Sequence, residues 1–124
     1  MDVIDIAMVT WPNIPKRLDY FRQTIESVKA NLTAKRHELR FYCSAETERD
    51  PHPDDGWRGD ELTELCKQHG ITLQWREEPA NLGANMNAAI RMGSGRFVYL
   101  QQDDWRLDHN LDLSRRRADA VKTF

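Results

Sequence analysis

Residues Asn81 to Trp105 read NLGANMNAAIRMGSGRFVYLQQDDW, and the way this stretch divides decides the fold. Arg96 to Gln101 reads as a strand, with Phe97, Val98, Tyr99 and Leu100 in an unbroken apolar run. Such a run suits a strand covered on both faces of a parallel sheet. It stops at Asp103 and Asp104, which belong in a loop, because a carboxylate buried without a partner pays a large desolvation cost. A bare Asp-Asp pair more often ends a strand or caps a helix, since loops are rich in Asp. A hard divalent cation is held by one or two carboxylates together with substrate phosphates, so the pair also reads as half of a metal site with a phosphorylated ligand as the other half.

The first half of the stretch favours the second reading. Asn81 is placed to cap a helix whose apolar stripe is Leu82, Met86, Ala89 and Ile90. Gly83 and Ala84 fall in its first turn, where backbone N–H groups are open to an anion. Gly93-Ser94-Gly95 ends the helix and turns into the strand.

Working outward, Val3 to Thr10 (VIDIAMVT) is a buried first strand, broken at Trp11-Pro12-Asn13. A helix follows from Pro15, with Leu18, Phe21, Ile25, Val28 and Leu32 in one stripe. Glu38 to Ser44 is the second strand, and Ile71 to Trp75 the third. Between them lie an acidic loop over Glu46–Glu61, with seven acids and two arginines, and a short helix over Glu61–His69. His52, Asp54 and Asp55 in that loop read as solvated side chains, not ligands. After Trp105, the spacing of Leu107, Leu111, Ala118 and Val121 predicts a last helix, with Arg115 to Arg117 on its solvated face. The order β-α-β-α-β-α-β-α predicts a three-layer α/β/α domain with a mainly parallel sheet, its four strands ordered 3-2-1-4. Thr10–Asn13 and Gln101–Trp105 then fall together at the carboxyl ends of neighbouring strands, at the switch point where ligands bind. Neither dinucleotide fingerprint nor P-loop is present in the sequence.

Composition narrows the class. The chain has 124 residues, enough for one domain, with 40% hydrophobic and 31% charged residues. A net charge of −2 gives no basic surface for nucleic acid. No apolar run approaches a transmembrane segment and no secretory signal is visible, so a cytoplasmic location is expected. Cys43 and Cys66 lack metal-ligand spacing and are expected to be buried free thiols.

The stretch resembles the family-2 glycosyltransferases of the GT-A fold, in which N-x-G-x-x-x-N, a glycine turn, an apolar strand and D-x-D-D recur in that order. Asn81, Gly83, Asn87, Gly95 and Asp103-Asp104 stand in those places, and a weaker likeness extends over Asp5–Val28. Gln101 replaces the first aspartate of the D-x-D. The resemblance implies a nucleoside-diphosphate sugar as donor, and Mn²⁺ or Mg²⁺ at Asp103 and Asp104. It assigns nucleotide contacts to Thr10, Trp11, Pro12, Asn13, Glu46, Asn81, Gly83, Asn87 and Asp103. Trp11 either stacks on the base or packs on the following helix. Sugar transfer to an acceptor hydroxyl needs a general base, which this family carries well beyond the D-x-D. Asp108 and Asp112 lie between Arg106 and Phe124, and neither is a convincing base. The chain therefore reads as the donor half of such an enzyme, without the acceptor part. The alternatives are a non-catalytic nucleotide-sugar module and a plain α/β interaction domain. With later strands missing, the strand 96-101 edge is expected to pair with a second copy in a homodimer.

Overall fold

The structure, a computed structural model, describes residues 2–13, 15–47, 58–77, 81–94 and 97–114. Its centre is β1 (Asp2–Thr10), whose last seven residues are all buried. β3 (His37–Ala45) runs parallel to it along its whole length, from Asp2↔His37 to Thr10↔Ala45. β5 (Phe97–Gln102) is parallel on its other side, from Ile4↔Phe97 to Val9↔Gln102. β4 (Ile71–Trp75) pairs in parallel with β3, which gives a sheet ordered β4-β3-β1-β5. The fold is thus α/β with a mainly parallel sheet. Thr10, Ala45 and Trp75 lie abreast at one end, with Gln102 one step away beside Val9.

Strand geometry sends alternate β1 side chains to opposite faces. Ile4, Ile6 and Met8 join the larger core. With them pack Leu18, Phe21, Ile25 and Val28 of α1 (Pro15–Asn31), and Leu62, Leu65 and Cys66 of α2 (Gly59–Gln68). Each such side chain removed from water contributes about 1.5–3 kcal/mol. Ala7 and Val9 face the other way and meet Ala89 of α3 (Leu82–Met92), flanked by Met86 and Leu100. Asp5 points to this second face and is 2% exposed. Cys43 and Cys66 are buried free thiols, as expected. No helix among the described residues is long and apolar enough to cross a membrane.

Three sequence expectations need correction. First, the apolar stripe assigned to α3 is only half of its inward face: Ala89 is buried and Met86 packs beside it, but Leu82 is 56% and Ile90 39% exposed, and Asn85 is buried in their place. The sheet offers α3 only small side chains, and a polar pair fills the rest of the contact. Second, β5 is not covered on both faces. Among the described residues it pairs with β1 alone, at the sheet edge, and Val98 is 41% exposed. Third, Leu107 and Leu111 are not helical. Leu107 lies in a loop and Leu111 in β6 (Leu111–Asp112), which pairs in parallel with β2 (Leu32–Thr33) at the end of α1. Ser114 fastens the same region, its hydroxyl bonded to the His37 ring at 2.6 Å and accepting from the Arg36 N–H. His52, Asp54, Asp55 and Arg115–Arg117 lie outside the described residues.

Candidate functional site

The carboxyl ends of the strands open into a cavity of about 420 Å³. Its wall is made by Val9 and Thr10 at the end of β1 with Trp11 beyond it, Arg17 on α1, Glu46 after β3, the cap Asn81 with Leu82 and Asn85 on α3, and Gln102 at the end of β5 with Asp103 and Asp104 beyond it. Parallel register sets the placement, because each strand delivers its last residue to the same rim. Two backbone bonds continue the ladder past the strand ends, Glu46 N–H to the Thr10 carbonyl and Arg76 N–H to the Ala45 carbonyl. They hold Glu46 at the wall, 4% exposed, with the Arg76 Nε 3.8 Å from its carboxylate.

Asp103 is the most connected group of the site. Its Oδ2 accepts from the Thr10 hydroxyl at 2.9 Å and from the Arg17 guanidinium at 3.4 Å. Burial pushes the Asp103 carboxyl up from its ordinary value, while the Thr10 hydroxyl and the Arg17 charge pull it back. The loop that carries it is fastened to α1 by a polar stripe at i, i+3 and i+7. The Thr24 hydroxyl donates to the Asp103 carbonyl at 2.8 Å, Ser27 Oγ accepts from the Leu107 N–H at 2.9 Å, and the Asn31 amide donates to the Leu107 carbonyl at 2.7 Å. Gln101 closes the loop from inside: its amide oxygen accepts from the Tyr99 hydroxyl, and its amide nitrogen donates to the Trp105 carbonyl. Asp104, Trp105 and Arg106 remain exposed.

Of the residues singled out from sequence, Thr10, Trp11, Glu46, Asn81, Asp103 and Asp104 come together at the cavity. Asn81 also caps α3, accepting from the Ala84 N–H at 2.8 Å. Pro12, Asn13, Gly83 and Asn87 do not line it. Pro12 is buried and its carbonyl accepts from the Arg58 N–H, and Asn87 is exposed. Two residues of the wall escaped the sequence reading. Asn85 is 1% exposed and accepts from the Ser44 hydroxyl at 2.6 Å. Arg17 stands in the first turn of α1, a turn without any acidic residue. That omission was the available signal, since helix N-termini ordinarily gather Asp and Glu.

The divalent cation implied at Asp103 and Asp104 meets a donor set that does not fit it. One oxygen of Asp103, Oδ2, already serves a hydroxyl and a guanidinium, and the guanidinium beside the carboxylate would repel an added Mn²⁺ or Mg²⁺. Gln101, in place of the first aspartate, is neutral and spends its amide within the loop. Asp104 is left as a single exposed carboxylate. Among the described residues, no three His, Cys, Asp or Glu side chains gather as a metal-binding group.

No protein-family model matches this chain, and no curated protein matches it in sequence.

Proposed function

We propose that this domain binds a nucleoside-diphosphate sugar at the carboxyl ends of β1, β3 and β5, as the donor-binding part of a GT-A-type glycosyltransferase with three-layer α/β/α architecture. The supporting observation is convergence: side chains from well-separated parts of the chain line one cavity. Open parallel sheets bind ligands at this position, and the volume, about 420 Å³, falls in the range of small-molecule sites. Trp11, half-buried at the cavity wall, supplies an aromatic ring on which a base can stack, and the Glu46 carboxylate can accept from a base N–H or a ribose hydroxyl. The reaction class is displacement of the diphosphate at the anomeric carbon by an acceptor hydroxyl, which calls for a general base. Asp108 is bonded to His109 and Asp112 accepts from the Ser114 N–H; neither lines the cavity. Donor binding is therefore the assigned function. The isolated chain is expected to transfer sugar at a rate about 10²–10⁴ below that of a complete site. Ordinary turnover with an added acceptor would contradict this.

Calorimetry with UDP, GDP, ADP and CDP tests the binding. Base stacking on an aromatic is worth about 1–3 kcal/mol, so Trp11→Ala is expected to weaken the preferred nucleotide by roughly 5- to 150-fold. Trp105→Ala, 58% exposed and outside the cavity, is the control and is expected to change nothing. If none of the four nucleotides binds, the reading is wrong and a plain α/β interaction domain takes its place.

A second copy of the chain is the proposed partner of the β5 edge, paired antiparallel about a two-fold axis. The edge offers Val98 to solvent, and open ladders attract strands. Light scattering is expected to give twice the chain mass, and Val98→Lys, which puts a charge beside the ladder, to give a monomer. A monomeric native chain at high concentration would rule the pairing out.

A further inference from the structure

We infer that Arg17 is the resident counter-charge for the diphosphate, that Asp103 is the latch holding it in the free protein, and that the ligand binds without a divalent metal. This inference rests on the nucleotide reading above and concerns how that site treats the anion.

Three observations and one general property of the guanidinium group carry it. The Arg17 guanidinium reaches the cavity wall and lies 3.4 Å from the Asp103 carboxylate, with side chains 43% and 11% exposed. Its Nε is buried with no hydrogen-bond partner among the described residues, so the fork has a donor to spare. Next to it stands Lys16, and the first turn of α1 contains no Asp or Glu. Two cations at the positive end of a 17-residue helix oppose its dipole, an arrangement that improves when an anion arrives. Finally, a guanidinium fork matches phosphate oxygens as well as it matches a carboxylate.

The exchange is a change of partner. In the free site Asp103 keeps Arg17 turned along the wall and is itself steadied by the Thr10 hydroxyl. A diphosphate takes over the guanidinium and uses the spare Nε, and Asp103 keeps the Thr10 bond. Asp104 is exposed, so water and salt screen its charge more effectively than those of the part-buried pair. The two assignments of Asp103 predict opposite signs. A metal ligand is needed for binding, so its removal loses affinity. A latch competes with the ligand, so its removal gains affinity.

The test is calorimetry with the preferred nucleoside diphosphate and its nucleoside, in EDTA and again in Mn²⁺, on the native chain, Arg17→Ala, Arg17→Lys and Asp103→Asn. The expected result is diphosphate binding unchanged by EDTA and weakened at least about ten-fold in Arg17→Ala, the loss of a charge-assisted bond. Arg17→Lys should recover part of the loss, and nucleoside binding should stay as it was. Asp103→Asn should tighten the diphosphate by up to about five-fold, the scale of a part-exposed ion pair. Diphosphate binding that requires Mn²⁺ and vanishes in Asp103→Asn overturns the inference while the nucleotide reading stands. Absence of binding in both EDTA and Mn²⁺ overturns both.

Discussion

Gly93→Ala is expected to cost about 3–5 kcal/mol, a large share of the 5–15 kcal/mol by which a domain is ordinarily stable. The reason is contact, not backbone freedom. Gly93 has φ −89° and ψ 169°, which any residue adopts. A Cβ at this position would overlap the Asp5 carboxylate, whose farther oxygen would still lie only 2.7 Å away. Asp5 is 2% exposed on the central strand, so its carboxylate can move aside only by disturbing packed neighbours. Overpacking and displacement of a buried carboxylate therefore add. Urea denaturation measures the loss. In an Asp5→Ala background the same Gly93→Ala change should cost less than half as much, because the obstacle is gone. Equal costs in both backgrounds would show that the overlap is not the cause. Gly83→Ala is the contrast: its Cβ would have only the Asn81 Oδ1 at 3.4 Å, and within a helix alanine is expected to gain up to about 1 kcal/mol.

Asn85→Ala and Asn87→Ala should separate cleanly, although the two residues are neighbours of the same type on one helix. Asn85 is buried between α3 and β3 and bonds Ser44 at 2.6 Å. Its truncation strands a fully buried hydroxyl and opens the cavity wall, for a cost of about 1–3 kcal/mol. Weaker nucleotide binding is expected with it, since Asn85 lines the cavity. Asn87 is exposed, and its truncation is expected to stay within about 0.5 kcal/mol of the native chain with binding unchanged. Comparable losses at the two positions, by denaturation and calorimetry, would reinstate the role that the resemblance gives to Asn87.

That pair also marks where sequence reading stops. β1 and α1 were legible because they are nearly pure patterns: an apolar strand, and a stripe from Leu18 to Val28 that is buried as drawn. α3 was legible as a helix, with its cap at Asn81, but not in its orientation. Apolar periodicity marked Leu82 and Ile90, whereas the inward face is decided by Ala7 and Val9 and by a hydroxyl–amide pair that no hydropathy pattern records. The start of the last helix was misplaced for a related reason, while Ala118 and Val121 lie outside the described residues. Leu107 and Leu111 have helical spacing, yet the backbone of Leu107 is satisfied by Ser27 and Asn31, 80 and 76 residues away in sequence. The convergence of Thr10–Trp11, Glu46 and Asp103–Asp104 was legible, since it follows from parallel strands. Arg17 was not, because its meaning depends on which carboxylate lies opposite.

The fastening of the loop after β5 has a consequence for how such a site can diversify. α1 grips the loop by its main chain, at the Asp103 carbonyl and at both backbone groups of Leu107. Gln101 also holds it by main chain, at the Trp105 carbonyl. The side chains of Asp104, Trp105 and Arg106 are all exposed, but Arg106 adds to the grip by donating to the Gln23 amide oxygen on α1 at 3.2 Å and Asp104 lines the cavity, which leaves the Trp105 side chain outside both. The identity of residue 105 is consequently decoupled from the path of the chain, so it can be exchanged while Asp103 stays in register with Thr10 and Arg17. A scaffold built this way separates the residues that hold one ligand from the one that greets another. Change at the tip then alters what is met at the rim without retuning the pocket behind it.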